Sequence, residues 1–437
     1  MSETGKGDRR VVVTGIGILS PIGIGCDAFW QSIAEGRSGI ARIEQIAHTA
    51  VPGNIAGEIK EFTESTARKT YLKAQRKSLK VMCREIQLGV ASAVLALESS
   101  GLELQQIDRT RLGVDFGANQ MFSPVETLKE ACRACVDEQT GRFVYEKWGP
   151  EGMPRLEPLW LLKYLPNMPA CHIAIMADAQ GPSNSLTHAE ASGNLAMGEA
   201  ARVIQRGCAD VMIAGSTGAW IHEVKCLHSA LWDDLADSQE PPERWCRPFD
   251  KNRTGQVVGE AACSLIFEEE SHARSRGATI YGTVLGSGGS CVRDRDVVPK
   301  VRQALANAMR MALEDAGLSP ADIGHIHAHG TGSRRGDRDE ALAIRDVFGA
   351  RADQIPVTSL KSYTGNSGAG CGPLELAASL LGFQHGVVPP TLNFEEPDPE
   401  CPLAVVTGAP QPATTKTVLN VNVTQLGQAS ALVVAAE

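Results

Sequence analysis

The stretch Ser185–Gly198, SLTHAEASGNLAMG, decides how the rest of the chain is read. The run leading into it, GPSNSL, has the character of a strand. Small residues then make a turn, and Ala, Leu, Met and Ala follow at the close spacing of a helix. A strand, a tight turn and a helix form an elbow, in which the first helical residue is pushed into a cavity and the helix N–H groups point at it. Here that residue is Glu190, a carboxylate in a seat shaped for a nucleophile. The small neighbours Ala189, Ala191 and Gly193 imply crowding around it; the alternative is an exposed residue at a helix start.

Working outward, helix and strand signals alternate on both sides of the elbow. Toward the N-terminus, residues 1–9 are polar and read as loose. Val11–Gly15 is a buried-strand run that ends in the glycine-rich turn TGIGILSPIGIG. Those glycines invite a dinucleotide-loop reading. The acidic residue that should end a second strand about 20 positions later is missing, so a nucleotide is not expected. A short helix covers 29–36, an amphipathic helix 77–100 and a strand 111–117. Residues 118–166 have no simple period and contain Pro124, Pro150, Pro154, Pro158 and Pro166; they read as an inserted segment lying over a pocket or at an interface.

Beyond the elbow helix (193–206) come strands at 209–217 and 259–270. The second half repeats the pattern: strand 279–288, helix 299–316, strand 325–330, helix 337–348, the loop KSYTGNSGAGCG (361–372), helix 373–385, and closing strands 416–423 and 430–436. Each half ends with a pair of strands after a βα alternation. Two such halves, 1–270 and 271–437, packed face to face predict an α/β protein with five layers, α/β/α/β/α.

Composition narrows the function classes. The chain has 437 residues, 43% of them hydrophobic, with 44 Gly and few aromatics, which suits a compact α/β body rich in tight turns. A net charge of −9 with scattered Lys and Arg argues against nucleic acid, although a local basic patch would suffice for an acidic protein partner. Twelve cysteines spread over so long a chain, without a signal peptide, read as reduced thiols in a cytoplasmic protein. Cys132 and Cys135 form a lone CxxC with no second pair at ligand spacing, so no metal is expected. No apolar run is long enough to span a membrane.

Together these segments resemble the β-ketoacyl-acyl carrier protein synthases of the thiolase fold, the elongating type more than the initiating type. The likeness runs from RRVVVTGIGILSPIG through GPSNSLTHAEASG, RPFDKNRTGQVVGEAA, IHAHGTGSRRGDRDEA and LKSYTGNSGAGCGPLE to PPTLNFEEPDP. The resemblance implies that the elbow should hold a Cys that takes the acyl chain as a thioester, with two histidines assisting decarboxylation of a malonyl thioester. It places Glu190 at the Cys position, His329 in the first histidine position, and Asn366, after Lys361, in the second. Thr331 and Ser333 match hydroxyls that hold a pantetheine arm, or serve only to form the turn. Leu426 falls in the closing loop, where Thr424–Gln428 replaces a Phe/Gly-rich motif, and GSCVRDRD (289–296) also departs from the family pattern. Arg334 and Arg335 replace an apolar pair, as carrier contacts or as solvated charges.

A carboxylate cannot replace sulfur usefully, because its acyl derivative is a mixed anhydride, costly to form from a thioester and quick to hydrolyse. Cys371 and Cys171 lie elsewhere in the sequence. Glu190 at a helix start could ionise and pair with His329 or Lys361, filling the cavity with a quiet ion pair. The expectation is a non-condensing subunit that binds acyl chains on acyl carrier protein. It would pair with itself or with an active ketosynthase, in the manner of chain-length factors, and would need no cofactor beyond the carrier's pantetheine. Chain-length factors usually lose the HGT motif, whereas His329-Gly-Thr331 is kept here. The alternative is an acyl-thioester enzyme, a malonyl decarboxylase or a hydrolase, using Glu190, His329 and Asn366.

Overall fold

A computed structural model describes residues 9–437, so the polar start, apart from Arg9, lies outside the described residues. In the first half the strands are β1 (Val11–Ser20), β2 (Leu112–Ala118), β3 (Ser183–Leu186), β4 (Val211–Ala219) and β5 (Glu260–Glu269). In the second half they are β6 (Gly282–Cys291), β7 (His325–His327), β8 (Val357–Thr358), β9 (Thr417–Val423) and β10 (Gln428–Ala435). Hydrogen bonding puts them in the order β3-β2-β4-β5-β1 and β8-β7-β9-β10-β6, the same arrangement twice. In each half the three inner-to-edge strands are parallel, and the last strand lies antiparallel beside its predecessor. The halves join where Val11–Val13 of β1 pair antiparallel with Gly282–Val284 of β6.

Helices complete five layers, as the sequence predicts. The longer helices are α1 (Cys26–Ala34), α2 (Arg84–Ser100), α3 (Val125–Ala134), α4 (Met168–Ala177), α5 (Ser192–Gln205), α6 (Glu223–Trp232), α7 (Val301–Ala316), α8 (Arg334–Phe348) and α9 (Cys371–Gln384). Met197 and Ile204 of α5 and Leu376 and Leu380 of α9 share one core with Val13 and Ile18 of β1 and Leu432 of β10, forming the middle layer. Ile86, Val90 and Leu97 of α2 pack with Ile173 of α4 on the outer face of the first half. Leu305 and Met309 of α7 pack with Ile344 of α8 on the outer face of the second. Among the described residues no helix is long and apolar enough to cross a membrane.

Two expectations need correction. The glycine-rich run after Val13 is not a turn: β1 continues through it to Ser20. Its glycines are there for packing, since a Cβ on Gly15 would strike the carbonyl of Ala96 and one on Gly17 that of Ser92, so α2 lies directly on the strand. The amphipathic helix begins at Arg84 rather than 77. Residues before it form short turns, and Arg84 is drawn down to Glu260 and the carbonyls of Ile59 and Phe62.

Candidate functional site

Strand β3 ends at Leu186, and Ala189 takes a left-handed φ of 44°, a strained conformation for a residue with a side chain. A single 3-10 turn, Ala189–Ala191, then carries the chain into α5, and Ser192 Oγ accepts the His188 N–H at 2.7 Å. Gly193 is required because a Cβ there would run into Pro373, the contact that seats α5 on α9. This places Glu190, half-buried, in the wall of a cavity of about 290 Å³ that His329, Thr331, Ser333 and Asn366 also line.

The polar partner of Glu190 is Asn366, whose Nδ2 donates to Glu190 Oε1 at 3.1 Å and to Gln256 Oε1 at 2.8 Å. Asn366 Oδ1 accepts the Gly368 N–H at 3.0 Å, so the amide is held at both ends. Burial, joined by the nearby Asp233 charge, raises the pKa of Glu190 above the usual carboxylate range. The ion pair expected between Glu190 and Lys361 or His329 does not form. Lys361, fully buried, is paired with Glu375 and donates to the His329 carbonyl at 2.8 Å. Burial, with Lys361 nearby, keeps the His329 ring well below its usual pKa and hence neutral.

His329 follows the C-terminal end of β7, where Glu340 of α8 accepts the N–H groups of His329 and Gly330 at 2.6 and 2.7 Å. The Asn422 side-chain N–H donates to His329 Nδ1 at 3.3 Å and to Glu375 Oε2 at 2.7 Å. An acceptor role at Nδ1 leaves the ring proton on Nε2, available to a carbonyl oxygen in the cavity. Thr331 donates from Oγ1 to Ser333 at 3.1 Å, and its N–H bonds to Asp337 at 3.0 Å, fixing the turn at the cavity wall. One neutral donor, a carboxyl whose pKa is raised by burial and a pair of hydroxyls can bind a thioester carbonyl and the amide arm behind it.

Some expected residues fall elsewhere. Lys361 acts through backbone and Glu375 rather than lining the cavity. Leu426 is 56% exposed at the tip of the β9–β10 turn; its neighbours Thr424 and Gln425 line the cavity instead. Cys371 is buried with its thiol pushed up to about 11, chiefly by burial, and donates to Asn366 Oδ1 at 3.3 Å, so it is no substitute nucleophile. Cys171 lies on α4, outside the lining. His325 and His327 are packing groups that share Ser379. Arg335 reaches the cavity rim beside Asp339, whereas Arg334 remains exposed outside the lining. The inserted segment lines a different cavity, of about 550 Å³, through Met121, Phe122 and Tyr164.

Sequence reasoning missed Gln256, Asp233, Glu340, Glu375 and Asn422. Glu375 did carry a signal: it is the one charge in the otherwise apolar helix α9, CGPLELAASLLGFQ. A buried carboxylate in such a setting requires a cation, and Lys361 supplies it.

Comparison with known proteins fits this geometry. Residues 8–273 match the family model for the beta-ketoacyl synthase N-terminal domain, and residues 281–395 the model for its C-terminal domain. The chain belongs to the beta-ketoacyl synthase family. It is 34% identical over 402 residues to a 3-oxoacyl-[acyl-carrier-protein] synthase 2 of Synechocystis sp., covering 92% of this chain and 91% of the relative. The ishigamide ketosynthase/chain length factor superposes with a TM-score of 0.82 at 28% identity, over 98% of this chain and 99% of that one. A type II polyketide synthase acyl-carrier protein in complex with its ketosynthase bound to the hexaketide gives 0.83 at 26% identity, over 98% and 100%. This beta-ketoacyl synthase homologue thus has relatives in both fatty acid and polyketide biosynthesis.

Proposed function

We propose that this chain is a non-condensing beta-ketoacyl synthase homologue that binds acyl thioesters carried on acyl carrier protein and works beside an active ketosynthase, as chain-length factors do. The observation that carries the reading is the elbow itself: a strained Ala189 presents Glu190, capped by Asn366, at the position where the family resemblance places the nucleophilic Cys. With no thiol there and Cys371 held protonated, no acyl chain is transferred to the protein. The Nε2–H of His329 binds the thioester carbonyl, and Thr331 and Ser333 hold the pantetheine arm. No other cofactor is needed.

The exposed edge strand β3, with Ser183 and Asn184 open to solvent, supports a dimer formed by edge pairing, with a second copy or with a Cys-bearing ketosynthase in the cytoplasm. The test is incubation with acyl-carrier protein followed by intact mass measurement. The reading requires no acyl adduct on this chain, and co-purification with a Cys-bearing ketosynthase would identify the partner. A covalent adduct at any side chain of the cavity overturns it.

One observation favours a second reading. His329 keeps its donor geometry, and burial raises the pKa of Glu190 and so weakens its repulsion of a malonyl group; the pair can then support loss of CO2 from a malonyl thioester. Release of CO2 from malonyl-carrier protein that disappears in His329→Ala would establish that enzyme instead.

A further inference from the structure

Glu190 faces the cavity with little to hold it. Asn366 Nδ2 donates to its Oε1 at 3.1 Å, and among the described residues no other side chain donates to it. No cation pairs with it either: Lys361 is committed to Glu375, and Arg335, at the rim, to Asp339. Burial, with Asp233 nearby, lifts its pKa above the ordinary carboxylate range, against the pull of its own backbone N–H and of Asn366. A carboxylate held in that way is a stronger base than one in water.

The hydrogen-bond donors around it are unequally free. Asn366 has two side-chain N–H groups, and both are spent, on Glu190 and on Gln256 at 2.8 Å, so none is left for a ligand. His329 keeps one: Asn422 donates to Nδ1 at 3.3 Å, which puts the ring proton on Nε2. Glu190 and His329 line the same cavity. The α-carbon and carbonyl oxygen of a thioester are about 2.4 Å apart. With about 3 Å to each protein atom, a base and a donor sharing one thioester stand about 8 Å apart or less, which is the width of a 290 Å³ cavity.

A base toward an α-carbon and a donor toward the adjoining carbonyl is the arrangement that takes a proton from carbon. The base works only when ionised, and in that state it repels a charged acyl group such as malonyl, so the chemistry belongs to neutral acyl chains. Among these a 3-oxoacyl group offers the most acidic α-hydrogen, set between two carbonyls.

We propose that the cavity enolises a 3-oxoacyl thioester, with Glu190 as the base that takes the α-proton and His329 as the donor that holds the enolate oxygen. The inference rests on the thioester-binding reading above and adds a reaction to it. In the forward step the Glu190 carboxylate takes the α-hydrogen as a proton. The C–H electron pair becomes the double bond of the enolate, and the carbonyl π pair moves to the oxygen that His329 Nε2–H bonds. In the reverse step Glu190 returns a proton to the same face of the same carbon. No carbon–sulfur or carbon–carbon bond breaks, and no co-reactant enters.

The probe is 3-oxobutanoyl pantetheine in D2O, with loss of the α-hydrogen followed by NMR against buffer alone and binding followed by calorimetry. Wild type should exchange at least about 100-fold faster than Glu190→Gln, at unchanged affinity, and Glu190→Asp should recover part of the rate. The charged groups around Glu190 are Asp233 and Asp234 just past α6, Arg335 and Asp339 on α8, and Lys361; of these Asp233 is the one that raises its pKa. The wild-type rate should therefore rise with pH and level off once Glu190 is ionised, above the ordinary carboxylate range, whereas a buffer-driven rate keeps rising with hydroxide.

Exchange at the buffer rate by wild type that binds the thioester overturns the inference and leaves the binding reading intact. Equal exchange by wild type and Glu190→Gln overturns it too. Absence of a plateau in the wild-type profile does the same, which keeps the test decisive should Glu190→Gln not fold. Failure of wild type to bind the thioester at all ends the binding reading as well.

Discussion

On the acyl-binding reading proposed above, the charge on Glu190 should set which acyl groups the cavity accepts, and Glu190→Gln isolates it. The amide keeps the shape of the side chain and an oxygen to accept from Asn366, but cannot ionise. A cavity of about 290 Å³ has a radius of about 4 Å, so an acyl carboxylate lodged in it lies about 5 Å from an ionised Glu190 and is repelled by roughly 3 kcal/mol at an effective dielectric of about 20. That is about two decades of affinity. The sign with pH follows from the raised pKa: burial and Asp233 keep Glu190 protonated above the usual carboxylate range, so the repulsion is absent in acid and switches on as pH rises through the raised value. The assay is calorimetric titration with non-hydrolysable malonyl and butyryl pantetheine analogues from acid to alkaline pH. In wild type the malonyl-to-butyryl affinity ratio should fall as pH rises, by up to about 100-fold; in Glu190→Gln it should stay flat. A ratio in wild type that ignores pH, or a Gln variant that falls equally, refutes the reasoning.

Lys361→Met leaves Glu375 as an uncompensated buried carboxylate and should cost about 3–5 kcal/mol in urea unfolding, with the double variant Lys361→Met, Glu375→Leu recovering part of that loss. Glu190→Cys puts a thiol at a helix start, where the thiolate is favoured, and should give an acyl adduct by intact mass measurement where wild type gives none. His325 is pushed down to about 4 by burial, so between that value and the unfolded value near 6.5 the unfolded chain binds the extra proton and stability falls as pH drops. Its share of the loss between pH 7 and pH 5 is about 2 kcal/mol, and a His325→Gln variant should show a correspondingly shallower decline in its urea midpoint.

The repeated βα order and the elbow were legible because each rests on local pattern: apolar runs, helical spacing and the small residues on either side of Glu190. The glycines at 15 and 17 misled for a physical reason. A glycine in a strand and a glycine in a turn look alike in sequence, and only the approach of α2 across the strand tells them apart. The partner of Glu190 was misread because a formal positive charge is visible in sequence while its burial and prior commitments are not. Lys361 is spent on Glu375, which leaves a neutral amide, Asn366, to meet the carboxyl. Gln256 was written in a recognisable motif but carried no charge to draw attention. Leu426 was one position away from the lining, a difference set by how the β9–β10 turn folds over Asp233, to which Gln425 donates at 2.8 Å.

The same geometry explains why a chain without a thiol at its elbow keeps His329. The residue sits in a buried web: Lys361 donates to its backbone carbonyl, Glu340 accepts its backbone N–H, and Asn422 links its ring Nδ1 to Glu375. Each of these groups is buried, and each depends on the others for its hydrogen bonds. Removing the imidazole therefore does more than abolish a donor in the cavity; it strips one of Asn422's contacts within a network that carries a buried ion pair. Glu190 and Asn366 share no hydrogen bond with His329, Lys361, Glu375 or Asn422, so their own contacts run through Gln256, Gly368 and Cys371 instead. The ring's contact with Asn422 thus gives His329 a place in the folding of the second half besides any role in the cavity, and is compatible with a cavity that holds a thioester without cleaving or extending it.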